Sequence, residues 1–273
     1  MRSNLIQRLF AAAIAIPLLL ALLYLGPPWG WAVFLAVATS VGALELFGMT
    51  HPEDRPSQVS GLAMTLVVYG VLWRWGTDPR ALLVLLLSLP IAGMLLTLAR
   101  LGDINSAALR VAAATFGPLY LGGGMAALAL LRRDAGDDGP GFVVLALTLS
   151  WFSDTGAYFA GRFLGKHKLY EAVSPKKTIE GAIGGLVFAV LGALVGHFLY
   201  LRSLPALDAI VLGVVAGALG QAGDLGESLL KRSVNVKDSG GIIPGHGGIL
   251  DRVDALLVTA TLTYFYILFW WQH

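Results

Sequence analysis

The chain has 273 residues, of which 56% are apolar and only 13% are charged. Soluble proteins carry about 25% charged residues, so this chain has too few polar side chains to cover a surface that faces water. The mean hydropathy of +0.74 and the long uncharged runs indicate a membrane protein. The chain has no cysteine, which excludes disulfides, thiolate zinc sites and a cysteine nucleophile.

Nine windows are long and apolar enough to cross a bilayer as helices, which takes about 20 residues each. Their apolar runs are continuous rather than alternating, and an open sheet edge is not tolerated in lipid, so we expect no strands in them. We predict an all-α, polytopic integral membrane protein with about nine transmembrane helices. The windows are residues 9–26, 29–49, 60–75, 81–99, 109–131, 142–161, 180–200, 207–227 and 249–271.

The first window follows Arg2 and Arg8 and is similar to a secretory signal. Its apolar run is long and eight windows follow it, so we predict an anchor that stays in the membrane. Lys and Arg in short loops then set the orientation. With a cytoplasmic N-terminus, fourteen of the 19 Lys and Arg residues lie on the cytoplasmic side and five on the other. We therefore predict that the C-terminus lies on the opposite side.

The two halves of the chain differ in their polar residues. All six lysines lie between Lys166 and Lys237, in two loops on the predicted cytoplasmic side. We predict an N-terminal transmembrane scaffold at 1–135 and a C-terminal catalytic region at 136–273, with its site at that side. Glu45, near the cytoplasmic end of the second window, either joins the site or is a satisfied structural carboxylate.

The loop between windows six and seven is basic. Two interpretations of it stay open: attraction to anionic headgroups, worth about 1 kcal/mol for each basic residue, or a polyphosphate site. The second interpretation rests on the run Ser174-Pro175-Lys176-Lys177-Thr178, just before a predicted helix start, where backbone N–H groups favour anions. The basic residues of the loop are Arg162, Lys166, Lys168, Lys176 and Lys177.

Window six contains an ionisable residue, Asp154, with Tyr158 one turn later on the same face. A carboxylate at such a depth costs about 2.5–3.5 kcal/mol on insertion scales, so it is expected to face a partner or a wet cavity. Asp154 is either a structural contact between helices or part of a site. The basic loop that begins a turn later favours the site.

The most informative stretch runs from Gln221 to Asp254. At the end of window eight, Asp224, Glu227, Ser228 and Lys231 share one helical face, and Asp251 and Asp254 share one face at the start of window nine. Five glycines in the nine residues 240–248 separate the two groups. Such a loop allows close approach of backbone to a ligand and can form an anion nest. Carboxylates at two helix ends, opposite basic residues, suit Mg²⁺ and phosphate transfer.

At these residues the sequence resembles the phosphatidate cytidylyltransferases, also called CDP-diacylglycerol synthases. Their pattern S-x-φ-K-R-x4-K-D-x-small-x2-φ-P-x-H-G-G-φ-x-D-R-φ-D runs without a break from Ser228 to Asp254. The runs around Gln221, Ser174 and Asp154 are also similar to that family. The pattern is highly specific, but it covers the second half of the chain; the first half matches only as a set of apolar helices.

The resemblance implies an enzyme that joins phosphatidic acid to CTP and works with Mg²⁺, with K⁺ as an additional ion. It also implies a homodimer and no nucleic-acid partner. By position Asp224 and Asp251 would hold the metal, with Glu227, Asp238 and Asp254 as further candidates. The expected catalytic residues also include Lys231, Arg232, Lys237 and His246. The expected substrate-binding residues are Asp154, Tyr158, Ser174, Lys176, Lys177, Thr178, Ser228, Gly247, Gly248 and Arg252.

Two other functions remain open at this point. A CTP-dependent lipid kinase, acting on a polyprenol or phytol, resembles this family in part. A transporter of an anionic solute would also place charges in the membrane, although the polar groups here cluster near helix ends rather than at mid-span. For the cytidylyltransferase we expect a bacterial cytoplasmic membrane, with the site facing the cytoplasm where CTP arrives from water.

Overall fold

The computed structural model describes residues 2–240 and 247–271, with side chains described from residue 14 onward. The regular structure of these residues consists of ten α-helices, two short strands, two short 3₁₀ turns and one π-helical turn. The helices are α1 (Arg2–Leu25), α2 (Pro28–Thr50), α3 (Arg55–Trp75), α4 (Pro79–Ala99), α5 (Ala107–Gly117), α6 (Gly123–Asp134), α7 (Gly139–Leu164), α8 (Ile179–Leu199), α9 (Ala206–Ser233) and α10 (Leu250–Phe269); the strands are β1 (Lys168–Tyr170) and β2 (Ser174–Thr178).

The expectation of an all-α membrane protein is confirmed. Among the described residues, seven helical segments are long and apolar enough to cross a membrane. The two predicted windows outside this set are the first, of which only the stretch Ile14–Leu25 of α1 is described with its side chains, and the third, at α3. The α3 helix carries the polar residues Ser57, Gln58 and Thr65 on its buried face, which lowers its overall hydropathy. The number of crossings and the orientation stay predictions.

The fifth predicted window consists of two α-helices joined by a π-helical turn at Pro118–Gly122. Proline has no backbone N–H to donate, and such turns interrupt the regular hydrogen-bond ladder. After this turn, α6 runs through the middle of the molecule, and all its residues from Gly124 to Leu131 are buried. It packs against α2, α3, α7 and α10, so the centre of the bundle is built from small and aliphatic side chains of α6.

The C-terminal helices pack in chain order, α7 on α8, α8 on α9 and α9 on α10, and α10 returns to α6. Antiparallel neighbours of this kind bring the end of α9 beside the start of α10. The same end of the bundle holds the end of α2 and the start of α3. Asp54, the N-cap of α3, binds Arg100 at 3.0 Å and also pairs with Arg110, so one carboxylate joins α3, α4 and α5 there.

The predicted basic loop contains an antiparallel hairpin of β1 and β2, with Lys168 opposite Thr178. The sequence analysis excluded strands from the apolar windows and predicted none in this loop, so the hairpin is an addition to the predicted helices. The argument against strands holds only in hydrocarbon, where unpaired edge groups find no partner. This hairpin lies between two predicted spans, and four of its eight strand residues are exposed while none is buried, so water can satisfy its edges.

Candidate active site

The seam between α9 and α10 collects the acidic residues of both helices. Gly223 lies in this seam, and a Cβ on it would come within 3.3 Å of the Asp254 carbonyl oxygen. This close approach puts the face of α9 that carries Asp224, Glu227 and Lys231 opposite the first turn and a half of α10. The helical spacing read from the sequence therefore corresponds to one shared face in the fold.

Lys231 lies between two carboxylates of this seam. Its Nζ is 2.6 Å from Glu227 Oε2 and 2.7 Å from Asp251 Oδ1. Glu227 is 1% exposed, and the side chains of Lys231 and Asp251 are 12% and 11% exposed. One ammonium group thus balances two carboxylates in a place from which water is largely excluded.

Asp251 also fixes the loop that precedes α10. Its Oδ2 accepts hydrogen bonds from the backbone N–H of Ser239 at 3.0 Å and of Gly248 at 2.9 Å. Gly247 adopts a φ of +77°, and a Cβ there would lie 2.7 Å from Asp251 Oδ2. Glycine is therefore required at 247, both for the left-handed backbone and for space beside the carboxylate.

A cavity of about 450 Å³ opens next to this seam, between α7, the hairpin, α8 and α9. Lys177, on β2, reaches across it, with its Nζ 2.6 Å from Asp224 Oδ2. Tyr158 lines the opposite wall and accepts a hydrogen bond from Arg162 at 2.6 Å. The lining residues with polar or charged side chains are Asp154, Tyr158, Arg162, Lys176, Lys177, Thr178, Gln221 and Asp224.

Thr178 has a local role at this cavity. Its Oγ1 accepts a hydrogen bond from the Gly181 N–H at 3.1 Å, so it caps the start of α8. The helix start expected to bind anions thus has one of its N–H groups occupied by the protein itself. The two lysines just before it, Lys176 and Lys177, lie on β2 and line the cavity.

The structure brings together most of the residues that the sequence singled out. Asp154, Tyr158, Lys176, Lys177, Thr178 and Asp224 line one cavity, whereas Glu227, Lys231, Asp251, Gly247 and Gly248 form the neighbouring ion-paired group. Asp254 lies between the two groups, near enough to Asp154, Asp224 and Glu227 to interact with them electrostatically. The two groups are therefore parts of one acidic region.

Other predicted site residues lie apart from the cavity. Arg232 donates to the carbonyl oxygens of Val173 and Val236 at 3.4 and 3.2 Å, so it ties the hairpin to the end of α9. Within the described part of the chain, Ser174, Ser228, Lys237 and Asp238 do not line the cavity. Arg252 occupies the first turn of α10, and His246 lies outside the described residues. Their roles stay predictions.

Two cavity residues were not singled out as site residues from the sequence. Gln221 precedes Asp224 by three positions and Arg162 follows Tyr158 by four, so helical spacing alone places each beside a predicted site residue. Gln221 donates its side-chain amide to the Ala182 carbonyl oxygen at 3.1 Å and lines the cavity. Glu45, for which two interpretations were open, lies on α2 and accepts a hydrogen bond from the start of α10, and it does not line the cavity.

The oxygen atoms in this region are of the type that binds a hard cation. The side chains are carboxylates, which Mg²⁺ prefers, and Glu227 Oε1 is buried without a hydrogen-bond partner. Among the described residues, however, no three Asp, Glu or His side chains converge as a ready metal cluster. Lys177 and Lys231 instead neutralise Asp224 and Asp251. A metal at these carboxylates would have to displace or join the lysine ammonium groups.

The fold and the site define an integral membrane protein with an acidic and lysine-rich site at one end of a helical bundle. The chain belongs to the cytidylyltransferase family, whose sequence model matches residues 6–270. The match includes the N-terminal helices, which the sequence motifs alone did not assign to this family.

Individual relatives are similar over a shorter stretch. Three of them, each named phosphatidate cytidylyltransferase, come from Bacillus subtilis (strain 168), Staphylococcus haemolyticus (strain JCSC1435) and Staphylococcus aureus (strain COL). The identities are 44% over 124 residues, 45% over 125 and 46% over 127. These stretches cover 45–46% of this chain and 46–48% of the relatives, so the chain spans about half the length of the curated relatives it matches.

Proposed function

We propose that this chain is a phosphatidate cytidylyltransferase, which converts CTP and phosphatidic acid to CDP-diacylglycerol and pyrophosphate. The observation that carries the proposal is the meeting of Lys177, Asp224, Lys231 and Asp251 from the hairpin, α9 and α10 at one end of the bundle. The same residues belong to the runs by which the sequence resembles that family. The names of the relatives support the same activity.

The proposed reaction is an in-line displacement. A phosphate oxygen of phosphatidic acid attacks the α-phosphorus of CTP, the bond from that phosphorus to the oxygen bridging to the β-phosphorus breaks, and pyrophosphate leaves with the electron pair. The attacking phosphate monoester is already an oxyanion near neutral pH and needs little help from a base. Lys176 and Lys177 line the cavity and would bind the triphosphate, stabilising the charge that develops on the leaving group.

The carboxylates would hold the cation that the reaction needs. We propose that Asp224 and Asp251 hold Mg²⁺, with Glu227 and Asp254 beside them and K⁺ as an additional ion. When bound, Mg²⁺ would supply positive charge to the phosphate oxygens. The ammonium groups of Lys177 and Lys231 would then be free to turn from carboxylate to phosphate.

We further propose a bacterial cytoplasmic membrane as the location, with the site facing the cytoplasm and its lipid substrate in the inner leaflet. The excess of Lys and Arg in the loops at that end supports this orientation. A homodimer belongs to the same proposal and rests on the family resemblance.

The test is incubation of the purified protein with phosphatidic acid, Mg²⁺ and CTP labelled at either the α- or the γ-phosphorus. Transfer of the α-label to the lipid phase supports the proposal. Transfer of the γ-label would instead identify a lipid kinase, and solute flux in proteoliposomes without a lipid product would identify a transporter.

Two variants test the roles of the acidic residues. Asp224→Asn and Asp251→Asn are expected to insert in the membrane and lose turnover, because each loses a carboxylate of the proposed cation site. Asp137→Asn makes the same chemical change at an exposed position in the turn after α6 and serves as the control. Near-normal turnover of either site variant with Mg²⁺ would show that its assignment to the metal is wrong.

A further inference from the structure

Glu45 connects the N-terminal helices to the acidic site through a set of buried hydrogen bonds. It lies near the end of α2 and is 6% exposed. Its Oε1 accepts from the Ile249 N–H at 3.0 Å, and its Oε2 accepts from the Leu250 N–H at 2.9 Å and the Ser239 hydroxyl at 3.3 Å. One carboxylate thus holds three donors that are about 200 positions away in the sequence.

Two of these donors belong to the start of α10. The first N–H groups of a helix have no partner within the helix, and a carboxylate there is favoured by hydrogen bonding and by the helix dipole. Ile249 and Leu250 immediately precede Asp251. Glu45 therefore sets where the first turn of α10 begins, and with it the direction in which the Asp251 side chain points.

Ser239, the third donor, fixes the other end of the loop that precedes α10. Ser239 gives its hydroxyl to Glu45 and its backbone N–H to Asp251. Gly248, on the far side of the loop, also donates to Asp251. Glu45 and Asp251 therefore hold both ends of the loop together, one carboxylate from α2 and the other from α10.

The backbone of Gly240 and of Gly248 passes close to the Glu45 carboxylate. A Cβ on Gly240 would lie 2.8 Å from Glu45 Oε1, and a Cβ on Gly248 would lie 2.5 Å from Glu45 Oε2. Contacts this short require a neighbour to shift. Both glycines thus make room for the same carboxylate. This is a second reason for glycine at these two positions, besides close approach of the backbone to a ligand.

We propose that Glu45 is a positioning residue for the reaction, acting through Asp251 and the loop that precedes α10. The inference rests on the proposed function and adds to it a residue from the N-terminal half of the chain. Glu45 holds the first turn of α10, which carries Asp251, whose Oδ1 lies 2.7 Å from Lys231 Nζ. It does not line the cavity that contains Lys177, so its removal is expected to change turnover more than CTP binding.

The main test is Glu45→Gln, which keeps the shape of the side chain but replaces one acceptor oxygen by an NH₂ group that faces N–H donors. We expect kcat to fall at least about tenfold, since hydrogen bonds to a charged group are worth roughly a factor of ten or more each, and KM for CTP to stay within about twofold. Glu45→Asp keeps the charge and both oxygens, so it should recover part of kcat. Wild-type kcat in Glu45→Gln, or no recovery in Glu45→Asp, would overturn the inference.

Asp54→Asn is the matched control for a purely structural effect. Asp54 is also a carboxylate at a helix start and at the same end of the bundle, but it contacts Ser57, Arg100 and Arg110 instead of the site loop. We expect it to lower thermal stability at least as much as Glu45→Gln does, and to leave kcat per folded molecule unchanged. An equal loss of kcat in the two variants would mean that Glu45 acts only through general stability.

Amide hydrogen exchange gives a measurement that does not depend on the reaction. Glu45→Gln should speed exchange at Ile249 and Leu250 at least about tenfold, whereas Asp54→Asn should leave it unchanged. Unchanged exchange in Glu45→Gln would overturn the inference.

A second variant applies if Glu45→Gln does not accumulate as folded protein. Gly240→Ala displaces the same carboxylate from the loop side, and wild-type kcat in that variant would also overturn the inference. If the wild-type protein makes no CDP-diacylglycerol, the proposed function fails while the exchange measurement still tests the contact.

Discussion

Lys231 offers the sharpest test of how the acidic region is stabilised. Replacing it by methionine keeps most of the side-chain volume but removes the ammonium group between Glu227 and Asp251. Both carboxylates are almost completely shielded from water, and removing one partner of such a buried pair costs about 3–5 kcal/mol. At roughly 2–4 °C for each kcal/mol in a soluble protein of about this size, the melting temperature should fall by roughly 6–20 °C.

The assay is thermal unfolding in detergent, with a chelator present so that no divalent cation replaces the ammonium group. Adding Glu227→Gln to Lys231→Met should restore part of the loss, because only one unpaired carboxylate then remains, and a coupling of about 1 kcal/mol or more is expected for residues in contact. Mg²⁺ should raise the melting temperature of Lys231→Met more than that of the wild type, since two carboxylates become available to it.

Lys176→Met is the control, because Lys176 is exposed on β2, where substitutions change stability by about 0.5 kcal/mol or less. A melting temperature of Lys231→Met equal to that of the control would refute the argument that this ion pair is buried and needed. A loss that Glu227→Gln deepens instead of relieving would refute the idea that unpaired negative charge is its cause.

Three further predictions concern other parts of the molecule. Gly247→Ala should lower stability by more than the roughly 1–2 kcal/mol cost of a left-handed backbone and should abolish turnover, because the added Cβ meets Asp251. The control Gly136→Ala, at φ +57° with open space around it, should lose stability only. Equal thermal unfolding and equal activity of the two variants would contradict this prediction. Lys177→Met should raise KM for CTP. It should change stability by about 1 kcal/mol or less, because the pair of Lys177 with Asp224 is nearly one-third exposed. An unchanged KM in steady-state kinetics would show that Lys177 does not bind the triphosphate. Burial and the nearby Arg110 guanidinium lower the pKa of His51, just after α2, to about 4. The folded state therefore favours the neutral ring, so the contribution of His51 to stability should be full above about pH 6.5 and should fall as the pH drops toward 4. Thermal unfolding of His51→Phe should show a weaker pH dependence across that window.

The helical faces could be read from the sequence, but the partners of their residues could not. The spacing of Asp224, Glu227 and Lys231 placed them on one side of a helix, and the structure has them there. The sequence offered Lys176 and Lys177 as equal candidates, because adjacent residues carry the same charge. In the structure both line the cavity, and Lys177 is the one that pairs with Asp224.

Composition, window length and the specific motif determined from the sequence alone that this is an all-α membrane protein with acidic and basic groups near the ends of its last helices. Those properties follow from local chemistry: a helix must be apolar to lie in lipid, and its periodicity decides which residues share a face. Only the tertiary structure decided that Lys231 joins Glu227 to Asp251, and that Glu45 holds the start of α10. These contacts depend on how the helices pack: α2 and α10 meet directly at one end of the bundle, and no spacing along the chain records that meeting.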